Sequence, residues 1–102
     1  MDELIQRHRD GIAALCRAHG VARLHVVGSA ARGAMEPSSD VDLLVEFRPE
    51  PPGGPFAAYM GLKEGLERLL GRGVDLITPG SAVNPVFRAS IEAGKVAVYA
   101  AA

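Results

Sequence analysis

The N-terminal part of the chain alternates apolar and charged positions with a helical period. The apolar positions recur at spacings near three, four and seven: Leu4, Ile5, Ile12, Leu15 and Cys16. This spacing predicts an amphipathic helix over residues 2–19, with Gly20 as a left-handed cap. Residues 23–27 are rich in β-formers and predict a first strand, which ends in a tight turn at Gly28 and Ser29.

A second strand is predicted over residues 40–47, where the polarity alternates with a period of two. One face carries the apolar set Val41, Leu43, Val45 and Phe47, and the other carries Asp42, Leu44 and Glu46. Between the first turn and this strand, Ala30, Ala31 and Arg32 favour a short helix. Gly33, Pro37 and the serines before Asp40 indicate a loop.

The rest of the chain continues the alternation of helices and strands. Residues 48–55 hold four prolines and two glycines, which predict a surface loop. A second helical stripe follows, made of Phe56, Tyr59, Leu62, Leu66, Leu69 and Leu70. Strands are predicted over residues 74–78 and 96–99, with a helix over residues 84–93 between them. We expect one α/β (α+β) domain over residues 1–102, with a small mixed sheet and flanking helices.

Composition and charge narrow the class of protein. Hydrophobic residues make up 48% of the chain and charged residues 23%, as in ordinary folded domains. The net charge of -1, without a run of Lys and Arg, argues against broad nucleic-acid binding. Cys16 is the only cysteine, and the chain shows neither a secretory signal nor an apolar run long enough to span a bilayer. We therefore expect a cytoplasmic protein, and its state of oligomerisation stays open.

The segment GSAARG, residues 28–33, lies where the first strand turns into a helix. Backbone N–H groups at such a turn can hold an anionic phosphate, and Gly28 lets the phosphate approach the backbone. The Ser29 hydroxyl can donate to a phosphate oxygen. Small residues after a strand also occur in ordinary tight turns. The segment lacks the lysine and the spacing of a P-loop.

Two carboxylates stand at the start of the second strand. Asp40 and Asp42 are one residue apart, so on a strand their side chains point to the same face about 7 Å apart. This spacing suits shared divalent cations. At an effective dielectric constant of about 20 the two charges repel by roughly 2 kcal/mol, so a solvated surface pair is an equally allowed interpretation of these residues alone.

The two motifs together resemble a known family. The pattern GSxARG followed by SDxDLLV is similar to the minimal nucleotidyltransferases of the polymerase-beta superfamily. The chain matches that pattern at Gly28, Ser29, Ala31, Arg32, Gly33, Ser39, Asp40, Asp42, Leu43, Leu44 and Val45. A Leu-rich helix followed by GxxVDL extends the resemblance to Asp75, where the family carries a third carboxylate. The resemblance implies a polymerase-beta-like fold.

The resemblance also implies a set of roles. Asp40, Asp42 and Asp75 would hold two Mg²⁺ ions, with Mn²⁺ as a substitute, and Asp75 would help to activate the attacking hydroxyl. The nucleotide would lie against Gly28, Ser29, Arg32 and Ser39. Arg32 could equally pair with Glu36 or Asp40 to hold the loop.

The resemblance further implies an activity and a partner. The expected reaction transfers AMP from ATP to a hydroxyl and releases pyrophosphate. Proteins of this kind commonly act as antitoxins, where the partner is a small helical HEPN ribonuclease toxin and the acceptor is one of its tyrosines. Two alternatives stay open: a binding module that neutralises its partner by contact, and transfer to a small molecule or a nucleic-acid end.

Overall fold

The computed structural model describes residues 3–31, 33, 40–79, 89 and 94–101. Within these residues, strands β1 (Val21–Val26), β2 (Val41–Phe47), β3 (Val74–Ile77) and β4 (Val96–Ala100) form one sheet in the order β3-β2-β1-β4. Strand β1 is antiparallel to β2 and β4, whereas β2 and β3 are parallel. This mixed sheet with helices confirms the predicted α+β fold class.

The helices lie close to the predicted positions, with one difference near the N-terminus. They are α1 (Glu3–Arg7), α2 (Arg9–Ala18), α3 (Gly28–Ala31) and α4 (Pro55–Leu70). The single helix predicted over residues 2–19 is divided at His8, whose backbone leaves the helical region at φ -104° and ψ 17°. The His8 ring Nδ1 lies 3.0 Å from the Leu4 carbonyl oxygen, which also accepts a long 3.3 Å bond from the His8 N–H.

One hydrophobic core lies between the helices and one face of the sheet. It contains Ile5, Ile12 and Cys16 from the N-terminal helices, and Leu24, Leu43 and Val45 from the strands. Leu62 and Leu66 of α4 are fully buried in the same core. Burial raises the pKa of the Cys16 thiol to about 12. Cys16 is therefore a core residue, as the sequence predicts.

Helix α4 buries one stripe, and Phe56 lies outside it. Its buried residues recur every four positions: Ala58, Leu62, Leu66 and Leu70. Phe56, predicted as part of the apolar stripe, is 78% exposed. It precedes Ala58 by two residues, which places it about 200° around the helix from the buried stripe. That part of the predicted stripe is wrong.

Glycines allow α4 to approach the end of α2 closely. A Cβ atom on Gly65 would come within 2.7 Å of Leu15 Cδ2, and one on Gly61 within 2.6 Å of the His19 ring. Helix α4 begins with Pro55 in its first turn and ends at Gly71, which adopts the left-handed conformation of a C-terminal cap. Proline is favoured at the start of a helix and glycine at its end.

The opposite face of the sheet carries a second, smaller cluster. Val27 and Leu44 are buried there and pack with Ile77. Leu43 and Leu44 therefore belong to different clusters, as the predicted alternation of the second strand requires. The helix predicted over residues 84–93 lies almost entirely outside the described residues. None of the helices in the described ranges combines the length and the apolar character that crossing a bilayer requires.

Candidate functional site

Strands β2 and β3 place two of the predicted carboxylates side by side. Asp42 and Asp75 are register partners in the parallel pair, so both side chains leave the same face of the sheet. Adjacent strands are about 4.8 Å apart. Asp75 is exposed and Asp42 is half-buried. The third predicted carboxylate therefore comes from the strand next to that of the first two.

The Asp42 side chain lies against the turn that follows β1. A Cβ atom placed on Gly28 would lie 3.1 Å from Asp42 Oδ2, and Gly28 has a φ of +66°. A backbone hydrogen bond holds the two segments in register, because the Val27 N–H donates to the Asp42 carbonyl oxygen at 3.1 Å. Glycine at position 28 thus provides both the left-handed conformation and the room for the carboxylate.

Asp40 lies one residue before β2 and is exposed. Its carboxylate fills the space where a side chain at Gly73 would be, in contact through Oδ1 and with Cγ 3.0 Å from the ideal Cβ position. The Val41 N–H donates to the Gly73 carbonyl oxygen at 2.9 Å, which joins the starts of β2 and β3 at the same level. Asp40 therefore stands at the same end of the sheet as Asp42 and Asp75.

The three carboxylates influence one another electrostatically. The pKa of Asp42 is raised above its usual value, first by burial, then by the charge of Asp75 and then by that of Asp40. Each cause opposes a negative charge on Asp42. A cation at this position would remove that opposition.

The donor set fits a hard divalent cation. Carboxylate oxygens are the ligands that Mg²⁺ and Mn²⁺ prefer. Among the described residues, no three acidic, imidazole or thiol groups lie close enough together to hold a metal ion by themselves. Magnesium in nucleotide sites is commonly held by one or two carboxylates together with substrate phosphates. The adjacent pair Asp42 and Asp75 could therefore supply the protein ligands of such a site.

Of the other residues predicted to contact the nucleotide, the structure describes the backbone of Ser29. Ser29 lies in α3, directly after Gly28, whereas the sequence predicts it in the turn before that helix. Its backbone is therefore at the turn that Asp42 contacts. Arg32 and Ser39 lie outside the described residues, and their roles stay predictions.

Sequence reasoning missed one element that contacts the site region. Glu67 of α4 accepts a hydrogen bond from the Val74 N–H at 3.1 Å and an ion pair from Lys63 Nζ at 3.1 Å. Val74 directly precedes Asp75 in β3. A lysine and a glutamate four residues apart on a helix predict only their own pairing, so nothing local in the sequence points to the bond with Val74.

Comparison with known proteins gives consistent matches. Residues 9–98 match the nucleotidyltransferase domain family. A "putative protein adenylyltransferase" of Methanocaldococcus jannaschii is 38% identical over 90 residues, which cover 88% of this chain and 86% of that protein. The solved structure of a "putative minimal nucleotidyltransferase" superposes with a TM-score of 0.75 at 35% identity, covering 94% of this chain and 95% of that one.

A more distant structural neighbour shares the fold. It is a chain of the complex between the tri-AMPylated HEPN toxin and the MNT antitoxin of Shewanella oneidensis, with a TM-score of 0.64 at 19% identity, covering 95% of this chain and 73% of that chain. The match over residues 9–98 includes the Gly28 turn, Asp40 and the strands that carry Asp42 and Asp75. On this combination of sequence match and fold, the chain belongs to the nucleotidyltransferase domain family and is a minimal nucleotidyltransferase.

Proposed function

We propose that this protein transfers AMP from ATP to a tyrosine hydroxyl of a HEPN ribonuclease toxin and thereby acts as its antitoxin. The observation that carries the proposal is the register pairing of Asp42 with Asp75 beside the Gly28 turn. An acidic pair next to a glycine turn places cation ligands and phosphate-binding backbone groups within one site.

The chain's own residues would bind and orient the two reactants. The backbone around Gly28 and Ser29 would hold the phosphates, with Arg32 and Ser39 as further contacts. Asp40, Asp42 and Asp75 would hold two Mg²⁺ ions, which neutralise phosphate charge and stabilise the leaving oxygen. The exposed position of Asp75 leaves it accessible to an incoming hydroxyl. Catalysis would then consist of positioning and electrostatic stabilisation.

The transfer is an in-line displacement at the α-phosphorus. A bond forms between the acceptor oxygen and the α-phosphorus as the bond from that phosphorus to the bridging oxygen breaks. Pyrophosphate leaves with the electron pair of the broken bond. The hydroxyl proton passes to the carboxylate of Asp75. The product is a toxin that carries an AMP group on its tyrosine.

Two comparisons support the choice of donor and acceptor. The relative from Methanocaldococcus jannaschii carries a name that specifies an adenylyl donor and a protein acceptor. The toxin in the complex from Shewanella oneidensis is AMPylated, and its chain partner shares this fold. The alternative of a binding module that neutralises its partner by contact alone does not explain why Asp40 and Asp75 lie close enough to Asp42, at one end of the sheet, to raise its pKa, which burial raises first.

The test replaces one metal ligand without changing its size. The helical partner is purified alone and incubated with ATP, Mg²⁺ and a small molar fraction of wild type or Asp42→Asn protein. Its mass is then measured for added adenylate. We expect wild type to modify an excess of partner and Asp42→Asn to modify almost none, while size-exclusion chromatography shows similar complex formation. Chelating the divalent cation should abolish transfer by wild type.

A matched control is Asp10→Asn, because Asp10 is an exposed carboxylate in the first turn of α2. It should transfer adenylate as wild type does. Neutralisation of the toxin only at equimolar ratio, with its mass unchanged, would establish the contact-only antitoxin instead. Full activity of Asp42→Asn would remove Asp42 from the metal site.

A further inference from the structure

The connection between α4 and β3, residues 71–73, lies beside the acidic site, and neither Glu67 nor Gly73 is a fixed position of the GxxVDL pattern. We propose that Glu67 and Gly73 are positioning residues that set the placement of the Asp40 and Asp75 carboxylates. The proposal rests on the proposed function, since it concerns the same three aspartates.

Glu67 ties the start of β3 to α4. Its Oε2 atom accepts from the Val74 N–H and from Lys63 Nζ, each at 3.1 Å. The side chains of Lys63 and Glu67 are 31% and 35% exposed, so the pair is partly withdrawn from solvent. The Val74 N–H, and then Lys63, lower the pKa of Glu67, so the acceptor is ionised at neutral pH. Hydrogen bonds to an ionised acceptor are stronger than neutral ones.

The bond from Val74 to Glu67 holds the start of β3, whereas the Tyr59 hydroxyl of α4 holds its later part by donating to the Leu76 carbonyl oxygen at 3.0 Å. Among the described strands it pairs with β2 alone and contains four residues, Val74–Ile77. Asp75 is its second residue, next to the one that Glu67 holds. Loss of the tie would let the start of β3 move relative to β2, and the Asp75 carboxylate would move with it relative to Asp42.

Gly73 provides space and not an unusual backbone conformation. Its φ lies outside the left-handed region, unlike that of Gly71, which has a φ of +71° and no neighbouring atom within 4 Å of an added Cβ. An added Cβ at Gly73 would instead overlap the Asp40 carboxylate. Gly73 is therefore required for the position of the Asp40 side chain, and any side chain there would displace it.

The first experiment compares Glu67→Ala, Glu67→Gln and Lys63→Met by kcat, KM for ATP and hydrogen exchange of the Val74 amide. Removing a group that orients a metal ligand typically costs about 10- to 100-fold in activity or metal affinity. We expect that loss in kcat and in Mn²⁺ affinity for Glu67→Ala, with faster exchange at Val74. Glu67→Gln should recover most of both, because its amide oxygen still accepts from Val74. Lys63→Met should stay near wild type.

Leu69→Ala is the control for a purely structural effect. Leu69 is a partly buried α4 residue that packs against the core, so the variant loses stability without touching the junction. It should keep the kcat and Mn²⁺ affinity of wild type at a temperature where it is folded. If Leu69→Ala lowers both as Glu67→Ala does, or if Glu67→Ala lowers neither, Glu67 has only a structural role and the proposal is wrong.

The second experiment is a double-mutant cycle in thermal stability, which needs no activity. Gly73→Ala should have a less favourable effect on the midpoint of unfolding in the wild-type background than in Asp40→Ala, where the obstructing carboxylate is absent. Gly94→Ala should behave alike in both backgrounds, because its added Cβ has no atom within 4 Å in the part of the chain that the structure describes. Equal effects of Gly73→Ala in the two backgrounds would overturn the assignment of Gly73.

The two proposals fail in different ways. If wild type transfers no adenylate to the partner, the proposed function fails, yet Mn²⁺ affinity, amide exchange and the stability cycle still test the junction. If transfer by wild type is normal and these three measurements show no effect of Glu67→Ala or Gly73→Ala, the positioning role alone is wrong.

Discussion

At Asp42, burial and two acidic neighbours all disfavour the negative charge of the side chain. It is half-buried, adjoins Asp75 across the sheet and contacts the Gly28 turn. Its raised pKa, caused first by burial and then by Asp75 and Asp40, means that the folded state disfavours the ionised form. Active sites often retain such unfavourable groups because their chemistry requires them.

Because the folded state disfavours the ionised Asp42 side chain, we expect a pH-dependent gain in stability for Asp42→Asn. Below the ordinary carboxyl pKa of 3.8 Asp42 is protonated in both states and imposes no penalty. As pH rises through its raised folded pKa, the carboxylate ionises in an environment that disfavours it, and wild type loses stability. In chelator, Asp42→Asn should therefore match wild type near pH 3 and unfold at a higher temperature near pH 7.

Thermal unfolding at a series of pH values, with Asp10→Asn as the control, measures this difference. Added Mg²⁺ should narrow the gap at neutral pH, since only the carboxylate binds the cation strongly. A gap that stays constant from acid to neutral pH would show that the ionisation of Asp42 is not its cause.

At the scale of the element, α4 shows how a helix divides its apolar residues between core and surface. Leu62 and Leu66 are fully buried, whereas Phe56 is 78% exposed although it is the larger side chain. The residues that face the core recur every four positions from Ala58 to Leu70. Hydrophobic character alone did not determine which residues are buried.

This division predicts opposite results for two truncations in α4. Leu66→Ala should lower the free energy of unfolding by about 2–5 kcal/mol, because it leaves a cavity in the core. Phe56→Ala should change it by no more than about 0.5 kcal/mol, as for other exposed positions. Urea denaturation followed by circular dichroism measures both. A large loss for Phe56→Ala would mean that this part of α4 faces the core.

At the scale of the whole molecule, the proline-rich loop after β2 packs against the start of β1. The Arg48 N–H donates to the Gly20 carbonyl oxygen at 2.8 Å, and an added Cβ on Gly20 would lie 2.8 Å from Pro52 Cδ and 3.0 Å from Pro51 Cα. Pro51 is itself buried. The loop predicted as a surface segment therefore also closes one end of the fold.

A pair of glycine substitutions separates this packing from backbone strain. Gly20 and Gly33 have nearly the same φ, +70° and +69°, but no atom of the described residues lies within 4 Å of an added Cβ at Gly33. Alanine in this conformation costs roughly 1–2 kcal/mol at either position. Gly20→Ala should be destabilised by about 1–3 kcal/mol more, because it also overpacks the loop. If chemical denaturation shows equal losses in the free energy of unfolding for the two variants, the loop accommodates the added methyl group at little energetic cost.

Local periodicity was enough to predict most elements of this protein. The alternation along β2 correctly assigned Leu43 and Leu44 to opposite faces, and the glycine and proline positions correctly bounded α4. These features depend on neighbours within a few residues, where backbone geometry repeats regularly. The family motif likewise lies within short segments around Gly28 and Asp40.

Tertiary structure decided what stands opposite each of those residues. The contact of Asp40 with Gly73, the bond from Val74 to Glu67 and the packing of Pro52 on Gly20 each join segments that are distant along the chain or lie on different elements. No periodic pattern specifies such contacts, because they depend on how α4, β2 and β3 are placed against one another. The sequence alone thus determined the family, the strands and the three aspartates as candidates. The packing of the sheet brought Asp42 and Asp75 into register and raised the pKa of Asp42, because only packing sets how far that carboxylate is buried and how close it lies to the charges of Asp75 and Asp40.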